Sequence, residues 1–554
     1  MSRSLALRYF AKLATLLALL ASPVIFSAQT PAGGQSAVPT GSFQVAGTIV
    51  NKIGGHPLAG ARVVLADTRN RQGAQSMVTS DDGRFRFQVR AGKYSLNAEK
   101  RGFLTTFYKG HELFSTAIVT GAGFDTESLG LHLAPYAVLS GKVYDELGEP
   151  VRGATVLVYR EDRRSGIGQI QPITESTTDD QGAYEATKLG DGTYFVSVHA
   201  KPWYAVHPAP SQDRALPAAV DSSLDVAYPI TYYGDATEAD DATPIPIRGG
   251  DQVEADIHLS PVPSLHLLVH VSEVGTRGVA MPLFQKQSFD GMARVEPDRV
   301  SMVAPGVFEV TGIPAGRYTV QAVGSPDTPV NEPNQVDLSS NTSDLDMSSG
   351  NPTSSVKAKV QVEGEATLPA PLAVAMRNSK GRVVSVGEAN PEGVAAFQNL
   401  SAGEYTFVAG SPTKPYSVKI ESGGGVTAGR KLNVPPASEL QVSLALVGGE
   451  VTVEGIAKQS GKPFSGAMVV LVPKDPESNR ELFRRDQSDQ DGTFSLQQVI
   501  PGSYTVIAIE NGWDLDWGKP AVLAQYIKHG QPITVFSHAT GSMQVPGPVE
   551  VQPK

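Results

Sequence analysis

The sequence predicts an all-β protein built from tandem two-layered sandwiches, and three observations carry that expectation. A phrase in which a polar turn ends in Gly, runs into an alternating strand, and reaches a second Gly followed two residues later by Tyr recurs in five places. The chain holds 56 Gly and 40 Pro, high for a helical protein and ordinary where turns join many short strands. Each phrase is followed by residues apolar at every second position, the pattern of a strand with one buried face.

The elements follow in chain order. Arg3, Arg8 and Lys12 precede an uncharged run from Leu13 to Phe26, too short to cross about 30 Å of hydrocarbon comfortably. This reads as a secretory signal over 1–28, with Ala28 its last residue and an uncleaved membrane anchor the alternative. A Gly/Ala/Pro-rich linker over 29–41 follows, and no later stretch is apolar enough for a transmembrane span. Cysteine is absent, which excludes a lipoprotein thiol, a disulfide framework and thiolate metal sites. The net charge of −10 offers no footprint for phosphate backbones, so nucleic acid is not an expected partner.

Three segments carry the full repeat. A strand containing Gly47, Gly141 or Gly455 comes first; Pro-x-x-Gly-Ala-x-Val follows at Pro57, Pro150 and Pro463; then comes the turn that ends in Gly83, Gly182 or Gly492. Two further segments keep the second half, from Gly306 to Tyr318 and from Gly393 to Tyr405. The spacing from turn Gly to second Gly is ten in four copies and nine in the first. Phe85 and Phe87 share a face, as do Phe494 and Leu496, and the Gly before each strand supplies the left-handed backbone of a tight hairpin. The Tyr of each phrase is assigned to the core. Closing strands are read at Leu129 to Leu133, Val253 to Leu259 and Leu440 to Leu444, and the elements are joined without helices.

These signals divide the chain into sandwiches at 42–135, 136–262, 263–350, 351–448 and 449–545, the third and fourth degenerate. The second carries a long extension, 202–250, for which the sequence yields no conformation.

Chemical motifs are sparse. His266 and His270 lie four apart in strand-like sequence and share a face, yet no third metal ligand is evident beside them. A calcium loop at Asp489 to Gly492 would put Gln487 first and Gln498 twelfth, without the bidentate carboxylate, and a hairpin turn accounts for the acids. Neither a nucleophile elbow nor a phosphate loop occurs. No catalytic residue, metal ligand or cofactor is assigned. Aromatic side chains are the one lead toward a ligand: Trp513, Trp517, Trp203, Tyr232 and Tyr233 combine ring faces with polar groups, as sugar-stacking platforms do, while the competing reading makes them satellite core.

The sequence V-x-G-x-V, P-x-x-G-A-x-V, D-x-x-G-x-F and P-G-x-Y resembles the carboxypeptidase regulatory-like domain over 43–134, 136–200 and 451–512. That resemblance implies a transthyretin-like, Ig-like Greek-key sandwich related to Cna-B-type and carbohydrate-binding modules, and an exported bacterial protein. It also implies placement in the periplasm, at the outer surface or outside the cell. The zinc peptidase domain that gives the family its name has no counterpart here, so the motifs are architectural and argue for no enzyme activity. The expected function is that of a non-enzymatic spacer, adhesion or binding protein at the cell envelope, its partner an extracellular polysaccharide or an envelope protein. A carbohydrate-binding module array is the alternative, and an accessory subunit of a peptidase or polysaccharide-degrading system the second.

Overall fold

A computed structural model describes residues 43–554 apart from 122, 208–220, 272–279, 325–327, 330–332, 341, 348–352, 365–366, 380–382, 413, 425, 429–430, 478 and 537–538. The leader, the linker and part of the extension expected over 202–250 lie outside the described residues. The fold is all-β. Among the described residues no helix is long and apolar enough to cross a membrane.

One pairing scheme recurs five times. The opening strand Phe43–Asn51 pairs antiparallel with the strand after the turn, Arg84–Val89, and parallel with the closing strand, Leu129–Leu133. The opening strands Ala137–Tyr144, Val262–Val271, Ser354–Val362 and Val451–Gln459 repeat this, each between an antiparallel turn strand and a parallel closing strand. The second layer is organised around the Gly-x-Tyr strand, Gly92–Glu99 in the first unit and Gly502–Ile509 in the last. Five hydrophobic cores lie between the layers, built from residues 45–133, 137–259, 265–347, 356–446 and 451–551. The two units that keep only half of the repeat in sequence thus keep the pairing of the opening strand, although in the fourth the strand Pro415–Gly423 joins the layers into one nine-stranded sheet.

Two glycine positions explain why the sequence repeats. At Gly47 and Gly141 a Cβ would stand 2.0 and 2.2 Å from the carbonyl oxygens of Leu129 and Ala255 on the closing strand, so only Gly allows that approach. The turn glycines Gly83, Gly182 and Gly492 have φ of +72°, +71° and +78°, and each faces a carbonyl of its opening strand.

The Tyr of every phrase is buried. Each hydroxyl also donates to the carbonyl four residues upstream: Tyr94 to Arg90 at 3.1 Å, Tyr194 to Gly190 at 2.8 Å, Tyr318 to Pro314 and Tyr405 to Ser401 at 2.7 Å, Tyr504 to Ile500 at 2.6 Å. The ring fills the core while its hydroxyl clips the bend that precedes the strand, a corner of the kind seen in Ig-like sandwiches. A second clip joins turn to turn. The hydroxyls of Thr79, Thr178 and Ser488 each accept, at 2.9 Å, from the amide of Ala61, Ala154 or Ala467 in the Gly-Ala-x-Val segment.

The structure departs from the strand-only expectation in the fifth unit. Strand Met468–Pro473 is buried along its whole length, because its outer face is covered by Phe483, Trp517 and the helix Pro520–Ile527. That helix begins with Pro at its first turn, where a fixed φ costs nothing, and buries Leu523 and Tyr526. The extension also acquires structure. Thr231–Tyr232 and Ile245–Ile247 add to the Gly192–His199 strand, while Val226–Ala227 crosses over to pair with the opening strand of the third sandwich.

Candidate functional site

Two places concentrate polar chemistry. The first is a joint between the first and fifth sandwiches, which are separated by more than three hundred residues of chain. The fifth turn supplies most of it: Asp489 Oδ1 accepts from the amide of Ala117 at 2.9 Å, the amide of Gln490 donates to the Ala117 carbonyl at 3.1 Å, and Gln490 Oε1 accepts from Val119 at 3.0 Å. Gln487 spends its amide on Lys109 O and Thr116 Oγ1 and its carbonyl on the His111 ring. Lys93 reaches across to Asp489 at 2.7 Å and Asp491 at 3.2 Å, and also donates to Thr493. Desolvation raises the pKa of Asp489. It opposes the net lowering at Asp491, which hydrogen bonds from Thr493 and the Lys93 charge produce. Desolvation also pushes Asp486, whose carboxylate accepts from the Ser495 amide at 2.6 Å, up to about 7.

Beside this turn lies an aromatic cluster. Trp513 stacks on His111 with ring centroids 5.1 Å apart and planes within 2°, and touches Phe114. The Arg485 guanidinium sits 4.2 Å from the Trp517 ring centroid and pairs with Glu112 at 2.7 Å, both side chains largely buried. Asp516, between the two tryptophans in sequence, accepts from the Gly168 amide of the second sandwich at 2.9 Å, and Gly518 donates to Gly166 O at 2.6 Å. Three sandwiches therefore meet here.

The five rings proposed from sequence fall in different places. Trp513 and Trp517 belong to the joint, Trp517 only 8% exposed. Tyr232 is wholly buried between the second and third sandwiches, donating to Ser288 at 3.0 Å, and desolvation pushes its pKa up to about 12. Tyr233 is half-buried at the edge of the second core. Trp203 is 86% exposed, with Tyr204 edge-on at 5.9 Å.

The second place lies where the extension meets the third sandwich. His266 Nε2 is 2.6 Å from Asp225 Oδ2; Asp225 Oδ1 is 2.8 Å from His207 Nδ1; His207 Nε2 is 2.6 Å from Asp298 Oδ2; and Lys201 holds the other oxygen of Asp298 at 2.8 Å. One ligand atom each from His207, Asp225 and His266 lie within 4.8 Å of one another. His270, which the sequence grouped with His266, turns instead to Asp344 at 3.0 Å. The two rings share a face of the strand, but four residues of extended backbone set them about 13 Å apart, too far to share one partner. Spacing could not reveal the set, since its members come from two places in the extension and from the opening strand of the third sandwich.

Comparison with known proteins adds a family for the first unit. Residues 44–120 match the carboxypeptidase regulatory-like domain model. The first sandwich is thus similar to carboxypeptidase regulatory-like domains over most of its length. Residues 447–530 match a second model, the second beta sandwich domain of BOS complex subunit NOMO1-like proteins, so the joint sets this unit against the regulatory-like domain. No curated protein matches the chain. Among solved structures, the chain is similar to the Bacillus anthracis TIE protein at 12% identity and TM-score 0.18, over 73% of this chain and 74% of that one. GBS52, the minor pilin of Streptococcus agalactiae, is matched at 14% identity and TM-score 0.21, over 43% of this chain and all of that one. BcpA, the major pilin subunit of Bacillus cereus, is matched at 11% identity and TM-score 0.13, over 73% and 98%.

Proposed function

We propose that the protein is an exported, non-enzymatic binding or adhesion protein of the cell envelope, in which the first, second and fifth sandwiches form one preassembled platform. The observation that supports this is the joint. The acids, amides and tryptophans that chemistry or ligand stacking would need are engaged there in holding one sandwich against another. A chain of free modules would span distance; one that sews its fifth module onto its first holds a fixed surface. On this reading the modules form a folded-back scaffold.

The test is direct. Small-angle scattering of the chain lacking residues 1–28 should give a compact particle, and Gln487→Ala with Asp489→Ala should lengthen it. A wild-type profile already fully extended would overturn the proposal. On peptidase and glycosidase substrates no turnover is expected; turnover that a chelator removes would overturn the non-enzymatic part. The carbohydrate-binding reading keeps one specific observation, the exposed Trp203 beside Tyr204. It predicts polysaccharide retention lost in Trp203→Ala with an unchanged melting temperature.

A further inference from the structure

We propose that His207, Asp225 and His266 bind a divalent transition-metal ion, zinc or a close analogue, which clips the extension of the second sandwich to the third. Two imidazoles and a carboxylate are a ligand set that suits such ions, and three protein ligands leave a position for water. The donors converge from separate segments, and backbone bonds independent of any ion hold those segments in place. The Ser264 amide donates to the Asp225 carbonyl at 2.9 Å, and the Val206 amide to Leu224 O at 2.8 Å. The site is therefore preorganised.

The surroundings match what metal-bound histidines require. An imidazole that ligates through one nitrogen is oriented by a carboxylate on the other. His207 offers Nδ1 toward Asp225 at 2.8 Å, while its Nε2 faces Asp298 at 2.6 Å, and Lys201 fixes Asp298 in turn. The His207 side chain is 7% exposed, so the ring is held by its surroundings and not by solvent. Glu309, whose pKa desolvation raises, is the further carboxylate facing His266. Ligand atoms around a tetrahedral zinc stand about 3.3 Å apart at bond lengths of about 2.0–2.1 Å. The imidazole-to-Asp225 separations of 2.6 and 2.8 Å, made to different carboxylate oxygens, would open by about 0.7 and 0.5 Å to reach that spacing, while the widest separation in the set, which lies within 4.8 Å, would close toward it. With no cysteine in the chain, no thiolate competes for the ion.

The experiment is calorimetric titration of the untagged, chelator-treated full chain with Zn²⁺. One saturable equivalent is expected, lost in His207→Ala and in His266→Ala and retained in His270→Ala. Asp298→Asn, which removes only the orienting charge, should weaken binding by about 10–100-fold. Absence of saturable binding, or binding unchanged by His207→Ala and His266→Ala, overturns the site. If either alanine variant fails to fold, X-ray absorption of the zinc-loaded wild type decides. A shell containing two imidazoles sustains the proposal, and a shell without imidazole overturns it.

Discussion

The turn at Asp81-Asp82-Gly83 and the turn at Asp489-Gln490-Asp491-Gly492 share a backbone. In each the Gly amide closes back three residues, Gly83 to Ser80 at 2.9 Å and Gly492 to Asp489 at 2.8 Å. Their acids differ in use. Asp82 pairs with Arg84 at 3.2 Å in full solvent, whereas Asp489 and Asp491 grip Lys93 and the backbone of the first sandwich. The local phrase dictates the hairpin, and what the hairpin does depends on the surface that meets it. A repeat can thus hold its fold constant while one copy becomes an interface.

The largest break in that symmetry is expected at Arg485. Arg485→Ala strands the largely buried Glu112 and removes the cation from the Trp517 face; losing one partner of a buried pair costs about 3–5 kcal/mol. Denaturant unfolding should show this loss, with the first and fifth sandwiches separating before they unfold. Arg84→Ala, at the exposed pair of the open turn, should leave the transition where it is. Equal effects of the two substitutions would mean the joint contributes nothing to stability.

Acidity sharpens the comparison next. Burial lifts Asp486 from its ordinary 3.8 to about 7, so the fold favours its protonated form. An acid raised in this way contributes stability in full below about pH 3.8 and loses it as pH climbs through about 7. Asp486→Asn should therefore flatten the decline of stability between pH 4 and pH 7 relative to wild type, as followed by melting temperature. The corresponding substitution at Asp82, in the open turn, should leave the curve's shape unchanged between those limits. A wild-type curve already flat through this window refutes the assignment.

The fold class was legible because each hairpin is specified locally. Gly83 must take a positive φ, Phe85 and Phe87 must share a face, and Tyr94 must fall in the core. The helix Pro520–Ile527 escaped because it is short and its apolar residues cover a neighbouring strand within an otherwise strand-like region. The Tyr hydroxyl bond escaped because parity reports which way a ring points but not what its far end reaches. The tryptophans were noticed as rings beside polar groups. The Trp513 partners His111 and Phe114, and the Glu112 that pairs with Arg485 over Trp517, lie about four hundred residues upstream, and no pattern in one sequence pairs residues at such a distance. The His207, Asp225 and His266 set was missed for the same physical reason: tertiary contacts, and not spacing, assemble it.

The smallest expected effect tests the shared half of the comparison. Tyr504→Phe and Tyr94→Phe each keep the buried ring and delete one hydroxyl bond to a carbonyl four residues upstream, a loss of about 1 kcal/mol. The two hairpins are built alike, so the two losses should agree within about 0.5 kcal/mol even though one presents its turn to the joint and the other leaves its turn in solvent. Chemical denaturation of the two variants measures this. If Tyr504→Phe proved much the costlier, the joint would be reaching into the hairpin itself, and the separation between a locally specified fold and a contextual interface would fail. If both cost nothing, the bend would be held by Gly and ring packing alone, and the hydroxyl, present in all five copies, would need another explanation.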